Sequence, residues 1–387
     1  MTTFQGYLRR DGQAGIRNNV ICMAAANCVN SFVNQIVQRA PGVIPLRHTD
    51  GCGDAQKSPY YEKLLVNLAN NPNHYAVILV GLGCGGCRTE SIADEISKLG
   101  KPFYYANLKE SGSRQALVES AVKAAEGFLR DAALEKKQEL PLSKIIMGTE
   151  CGGSDALSGI TANPSIGYVS DWLISEGGTS ILTETAELIG CEKILADRAV
   201  NPELAAEVYA RITNMRDMVT EISGLDSASV SPGNMKGGLT TIQEKSLGCV
   251  NKGGDSPVAG LFNYGELIGG QTGLLIMDGT NHDAESQTGM VASGAQVIMF
   301  SSGRGSPLGF PSCPVIKICS NPQSYQQMGG DIDINAGQIV TDGISLQEFG
   351  DRCIQFFLEV LNGRLTVTEA NKYWGPMGIA KRLFPRG

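Results

Sequence analysis

The sequence predicts an α/β protein of largely parallel sheets with alternating helices, in two domains, with its site at strand carboxyl ends. Three observations carry this. Short apolar or β-branched runs recur along the chain, and each ends in small or polar residues. Segments of helical period lie between many of them. Glycine is abundant, 48 of 387 residues, and is often paired beside Cys or polar residues where the runs end, as tight turns and close backbone approaches require.

The predicted strands are NNVICMAA (18–25), GVIPL (42–46), YAVILVGLG (75–83), PFYYAN (102–107), KIIMGT (144–149), TSILTET (179–185), GLLIMDGT (273–280), QVIMFSS (296–302) and VIKICS (315–320). The clearest helix is SRQALVESAVKAAEGFLRDAALEKK (113–137), whose apolar positions 117, 118, 121, 122, 125, 128 and 129 share one helical face. PELAAEVYARITNMRDMVTEI (202–222) is a second. LEKKQELPLS (134–143), charged and then Pro-containing, divides a domain over 1–138 from a catalytic domain over 139–387. SGLDSASVSPGNMKGG (223–238) reads as an insertion or an active-site loop.

The formal net charge is −7, with no Lys/Arg run and no basic, aromatic-interleaved patch, which argues against nucleic acid as a partner. An anionic substrate stays open, because a pocket needs only one or two local cations. No apolar stretch approaches the roughly 18 residues of a membrane span. MTTFQGYLRRDGQAG lacks the apolar core of a signal peptide, so a cytoplasmic protein is expected. The 11 cysteines then read as free thiols or metal ligands rather than a disulfide frame.

Chemistry-bearing residues gather after the strands. VIPL leads into Arg47, His48, Thr49, Asp50, Gly51 and Cys52; VILVGLG leads into Cys84, Gly85, Gly86 and Cys87; IIMGT leads into Glu150, Cys151, Gly152 and Gly153. SILTET carries Glu184, with Glu187 just beyond, and LLIMDGTNHD carries Asp278, His282 and Asp283. In open α/β sheets the carboxyl ends of parallel strands line the ligand crevice. Any one of these thiols reads equally as a small buried hydrophobe or as a ligand. Three of them in three Gly-rich strand-end turns, Cys52, Cys84 and Cys151, favour a functional role. Three thiolates could hold an iron–sulfur cluster, and fewer, joined by His48 or a carboxylate, a single Fe2+. The Cys84–Cys87 pair has no matching C-x-x-C elsewhere and by itself is a weak zinc signal. Cys22, Cys191, Cys249, Cys313, Cys319 and Cys353 read as structural, and His74 as a surface residue. Arg304, in SSGRGS after an apolar strand, and Arg17, in GIRNN, are the cations for a carboxylate. GGLTTIQEKSLG reads as a helix N-terminus usable for anions, with Lys245 in its first turns.

Taken together, GYLRRDGQAGIRNN, HTDGCG, VGLGC, GTECGGSDALSGITANPSIG, SPGNMKGGLTTIQEKSLG, GAQVIMFSSGRGS and DIDINAG resemble the altronate/galactarate dehydratase family in order and spacing, from about residue 5 to 345. Sulfolactate sulfo-lyase large subunits are relatives within it. The resemblance implies an iron-dependent hydro-lyase that dehydrates an aldonate or aldarate to a 2-keto-3-deoxy acid, or a sulfo-lyase that releases sulfite. It implies a small SAF-type partner subunit, and a homo-oligomer is expected. It assigns iron to Cys52, Cys84 and Cys151, with His48 as a ligand or base. Glu150, Asp155, Glu184 and Lys245 become acid/base candidates, and Arg17, Asn27, Asn234 and Arg304 would hold substrate oxygens. The family's GLGCE reads GLGCGGC here, so the acidic residue is missing and Cys87 is added. A non-catalytic, thiol-based metal or redox protein is the alternative of another class. GRGS and GGLTT argue against it, because a metal store has no need of them.

Overall fold

A computed structural model describes residues 2–58, 60–223 and 230–381. Its strands are β1 (Thr3–Leu8), β2 (Ala14–Gly15), β3 (Asn19–Ala24), β4 (Val43–Leu46), β5 (His74–Gly81), β6 (Phe103–Asn107), β7 (Gln138–Pro141), β8 (Ile146–Cys151), β9 (Thr179–Leu182), β10 (Val258–Phe262), β11 (Gly273–Met277), β12 (Val297–Ser302), β13 (Val315–Cys319) and β14 (Ile334–Asn335). They form a four-stranded sheet, β4-β3-β5-β6, and a seven-stranded sheet, β10-β11-β9-β8-β12-β13-β14. Every pairing within these two sheets is parallel. A small antiparallel sheet, β2-β1-β7, lies apart. The α/β expectation holds, and each predicted run contains a strand.

Parallel neighbours need crossovers, and helices supply them. The predicted helix forms as Arg114–Leu134. Ser113 caps it by accepting from the Ala116 N–H, and Leu117, Val118, Ala121, Val122 and Ala125 form its buried stripe. The stripe packs on Val20, Cys22, Ile78 and Val80 from the four-stranded sheet. The second predicted helix forms as Pro202–Ser223, and the loop read over 223–238 falls partly outside the described residues.

Strand order places the crevices. From β3 the chain runs to β4 on one side and later to β5 on the other. From β8 it runs to β9, β10 and β11 on one side, then crosses to β12 on the other. These are topological switch points, where the loops leaving the strands diverge and a crevice opens at their carboxyl ends. Cys28, Cys52, Cys84 and Cys87 follow the first switch; Glu150 and Cys151 end β8 at the second.

The two sheets share a core. Leu64, Leu65, Leu68 and Leu79 cluster with Tyr264, Met290, Val291 and Phe310. Asn71 Nδ2 donates to the carbonyls of Val291 and Ala295, both at 2.8 Å. Phe4, Ala14 and Ile16 pack with Met147, Ile166 and Phe349, so the N-terminal strands join the core of the seven-stranded sheet. The tail returns to the first switch point. Met377 N–H donates to the Arg47 carbonyl at 2.6 Å, and Lys381 pairs with Asp50 and Asp54 at 3.3 and 3.1 Å. Among the described residues no helix is long and apolar enough to cross a membrane.

Candidate functional site

At the second switch point β8 ends on Glu150 and Cys151, both buried. The chain leaving β9 supplies Glu184 and, through the short helical turn Thr185–Leu188, Glu187. Glu184 adopts φ +66°, a left-handed conformation unusual for a residue with a side chain, which points to a position over-determined by its surroundings. Its Oε2 accepts the Cys151 N–H at 3.0 Å and the Lys252 ammonium at 2.7 Å. The Cys151 Sγ lies 3.0 Å from Lys252 Nζ, 3.1 Å from Glu187 Oε2 and 3.4 Å from Cys249 Sγ. Cys249 Sγ is 3.3 Å from the same Glu187 oxygen, and Lys245 donates to the other. One donor atom each from Cys151, Glu187 and Cys249 lies within 4.8 Å of the others, as do single oxygens of Glu150, Glu184 and Asp283.

Lys252 is wholly buried, and a buried ammonium is tolerated only when paired. Glu184 and the Cys151 sulfur supply that pairing. Burial raises Glu184 to about 7, with Lys252 opposing the shift. Burial, then Asp283 and Glu184, push Glu150 well above the usual carboxylate range. Burial acts against Glu187 too, but Lys245 and Lys252 outweigh it and hold the carboxyl below its usual value. Burial and Glu187 raise Asp283 to about 6. Both oxygens of Glu150 and Oε1 of Glu184 are buried without a hydrogen-bond partner among the described residues. Buried carboxylate oxygens that lack donors call for a proton or a cation, so this group has the character of a cation site.

A cavity of about 640 Å³ opens beside it, lined by Ser154, Asp155, Asn163, Thr241, Lys245 and Gly248 among others. Lys245 both lines the cavity and binds Glu187, so it connects the two. Asp155 Oδ1 accepts from the Ser158 N–H, Ser158 Oγ and Ser320 Oγ at 2.9, 2.9 and 2.7 Å, which holds the turn along the cavity wall. Asn234 Nδ2 donates to the Ser154 carbonyl at 2.9 Å and steadies the same turn. Arg304 is exposed just beyond β12; its N–H donates to the Gly153 carbonyl at 3.1 Å. Its guanidinium lies against Gly233 and carries no hydrogen bond or ion pair among the described residues.

At the first switch point the Asn27 N–H donates to the Asp50 carbonyl at 2.9 Å and Asn27 Nδ2 to the Thr49 carbonyl at 2.8 Å, tying the exits of β3 and β4 together. Cys87 Sγ lies 3.3 Å from Cys52 Sγ. Partial burial and the nearby Cys52 and Cys84 sulfurs push the Cys28 thiol up. His48 is buried, its Nε2 is 3.0 Å from the Ala24 carbonyl, and burial lowers its pKa. A carbonyl partner requires the proton on Nε2, so neutral His48 keeps an unprotonated, unpartnered Nδ1.

Several expectations change. The three thiols expected at one iron fall into two groups. Cys52 and Cys84 join Cys28 and Cys87, whereas Cys151 joins Cys249, and no metal-sized group among the described residues bridges them. The cause is strand order: Cys151 ends a strand of the other sheet. Cys249, expected to be structural, touches both Cys151 and Glu187. Arg17 has no donor left for a substrate. All five of its N–H groups go to Glu369 and to the carbonyls of Ile16, Val360 and Arg364. His74 is fully buried, 2.8 Å from Ser312 Oγ. Cys28 and Lys252 were not foreseen. Lys245, Cys249 and Lys252 stand at i, i+4 and i+7 on the helix Ile242–Val250 and the turn after it, a one-face spacing that could have revealed them.

Residues 142–380 match the family "D-galactarate/Altronate dehydratase, C-terminal", and residues 6–133 match "D-galactarate dehydratase/Altronate hydrolase, second domain". The chain belongs to this family. It is 33% identical to altronate dehydratase of Bacillus subtilis (strain 168), across 96% of this chain and 76% of that one. It is 32% identical to galactarate dehydratase (L-threo-forming) of Escherichia coli (strain K12), across 94% of this chain and 73% of that one. It is 33% identical to (2R)-sulfolactate sulfo-lyase subunit beta of Chromohalobacter salexigens, with 95% of each chain covered. The expectation of an enzyme of the lyase class therefore stands.

Proposed function

We propose that this protein is an iron-dependent hydro-lyase that removes water from an aldonate or aldarate, giving a 2-keto-3-deoxy acid. The observation that carries the reading is the buried Cys151–Glu187–Cys249 group, joined through Lys245 to a cavity of about 640 Å³. Two thiolates and a carboxylate suit Fe2+, and the unpartnered oxygens of Glu150 and Glu184 fit a positive charge close by. Bound there, the ion would polarise a substrate oxygen as a Lewis acid.

The chain's own residues supply the rest. Dehydration breaks the Cα–H bond and the Cβ–O bond, and water leaves with the hydroxyl oxygen. The enol that remains takes up a proton at Cβ as it becomes the ketone. Lys245, cationic against Glu187, and Arg304, exposed just beyond β12, hold the substrate carboxylate and the negative charge that develops on it. Glu184 exchanges the proton, and Lys252, 2.7 Å from its Oε2, carries the compensating charge. Glu150 is the second proton carrier. Asp155 and Asn234 act by holding the turn that walls the cavity. Asn27 holds the exits of β3 and β4, and His48 stands beside them.

A second reading has its own support. The chain and the sulfo-lyase subunit beta match over nearly their full lengths, whereas the dehydratases are longer. Similarity to a protein named as a sulfo-lyase subunit supports sulfite release from sulfolactate, and a companion subunit, as the second reading. The test is turnover by anaerobic, iron-loaded protein, alone and with its companion. Aldonates and aldarates are assayed for 2-keto-3-deoxy acid, and sulfolactate for sulfite. Keto acid from a sugar acid supports dehydration, sulfite supports the second reading, and silence across the panel defeats both.

A further inference from the structure

We propose that Cys28, Cys52, Cys84 and Cys87 form a second metal centre, held by thiolates alone, at the switch point of the four-stranded sheet. Three strands that diverge there each deliver thiols to the crevice: Cys28 follows β3, Cys52 follows β4, and Cys84 and Cys87 follow β5. A C-x-x-C pair needs a second pair to enclose an ion. The sequence has no second C-x-x-C, but the fold supplies Cys28 and Cys52 from separate loops.

The local geometry supports this. Cys52 and Cys87 are 3.3 Å apart at sulfur, and Cys28 lies within electrostatic reach of Cys52 and Cys84. Gly86 sits between the sulfurs: a Cβ there would fall 2.8 Å from Cys52 Sγ and 3.7 Å from Cys84 Sγ. Any side chain would therefore push into the space the thiols share. Gly85, at φ +74°, makes the turn that brings Cys87 back toward Cys52. Cys28 and Cys84 are exposed, although cysteine is among the most buried residue types, so neither is filling a core.

An all-thiolate set selects a thiophilic centre, either iron–sulfur or zinc. A lone tetrahedral ion with metal–sulfur bonds of about 2.3 Å would draw its sulfurs to within roughly 4 Å of one another. Among the described residues no three of these sulfurs lie within 4.8 Å of one another. A single zinc would need the side chains to rotate inward, whereas an iron–sulfur cluster takes its thiolates at separate irons and accepts wider spacing. Each thiol releases its proton on binding.

The four thiols share no member with the Cys151 group, and metal content is read separately from turnover. The full chain is reconstituted anaerobically with Fe2+ and sulfide, and in parallel with Zn2+. Wild type should carry metal in two portions: Cys249→Ser loses the portion at the Cys151 group and keeps the other, which the Cys28→Ser/Cys87→Ser double variant loses. Iron with acid-labile sulfide identifies a cluster, and zinc without sulfide a single ion; either supports the centre. A double variant with wild-type metal content overturns it. Because substitution could impair folding, alkylation of wild-type thiols is mapped by mass spectrometry as well. Metal should slow labelling of Cys28 and Cys84 roughly tenfold or more. Equal labelling with and without metal overturns the proposal, as does recovery of only a Cys52–Cys87 disulfide.

Discussion

The two switch points are built from the same parts and differ in what surrounds them. Each has thiols on glycine-rich turns at the carboxyl ends of parallel strands. At the four-stranded sheet Cys28 and Cys84 are exposed, Cys52 is half-buried and Cys87 is buried. At the seven-stranded sheet Cys151 and Cys249 are buried with Lys252 and the carboxyls of Glu150, Glu184 and Glu187, and the half-buried Lys245 and Asp283 adjoin them. Burial turns the second group into coupled proton and charge chemistry, because an unpaired charge there has no water to relieve it. The first group has solvent beside two of its thiols and keeps the affinity of sulfur for metal. A strand-end thiol motif therefore has no fixed chemistry of its own; its neighbours and its depth assign it.

The strongest way to break this contrast is kinetic. Glu184→Gln should lower kcat/KM by about 10²–10⁴-fold in iron-loaded protein, the scale of a lost general acid/base. Asp54→Asn, on the helix that begins at Cys52, should change it less than about tenfold by the same logic. Steady-state rates on the best sugar acid decide it, and equal losses would show that both ends serve catalysis alike.

Stability in metal-free protein sharpens the contrast next. Lys252→Met removes a buried partner of Glu184 and should cost about 3–5 kcal/mol. Cys84→Ser, at an exposed position, should stay within about 0.5 kcal/mol of wild type. Urea unfolding of both variants reads the difference, and similar midpoints would deny the role given to burial.

The smallest effect is a difference in sign with pH. His74 is buried and held well below its ordinary pKa, by burial and then by Lys101, so it stays neutral in the fold. Below pH ~6.5 the unfolded chain takes a proton that the fold refuses, so His74 costs stability by up to about 1.4 kcal/mol per pH unit as pH falls. Glu184, raised to about 7 by burial, does the reverse in metal-free protein. The fold takes its proton before the unfolded chain does, so its contribution grows as pH falls from about 7 toward ~4.3. The advantage of His74→Gln over wild type should therefore increase in acid, and the penalty of Glu184→Gln should increase too. Unfolding at pH values on either side of 6 checks both slopes, and a flat difference for either residue removes it from the account.

Much of the frame was readable locally. Apolar runs and helical period lie within a few neighbouring residues, which is why every predicted run contains a strand and the 114–134 helix begins at its Ser113 cap. β10 was missed because VAGLF is short and interrupted by glycine. Arg17 looked like a substrate cation because its partners, Glu369 and the Val360 and Arg364 carbonyls, lie more than 340 residues away. Phe4 and Ile16 join the seven-stranded sheet's core for the same reason: contacts that distant leave no trace in local pattern.

The sequence by itself determined the alternation of strand and helix, the glycine turns that end the strands, and the presence of thiols and carboxyls on those turns. These follow from side-chain period and backbone sterics, which neighbours in the chain set. Only the tertiary structure decided which thiols meet. Cys151 met Cys249 and Lys252, not Cys52 and Cys84, because β8 lies between β9 and β12 in one sheet while β3 lies between β4 and β5 in another. Strand order is a choice among packings of whole helices and sheets, and no single turn encodes it.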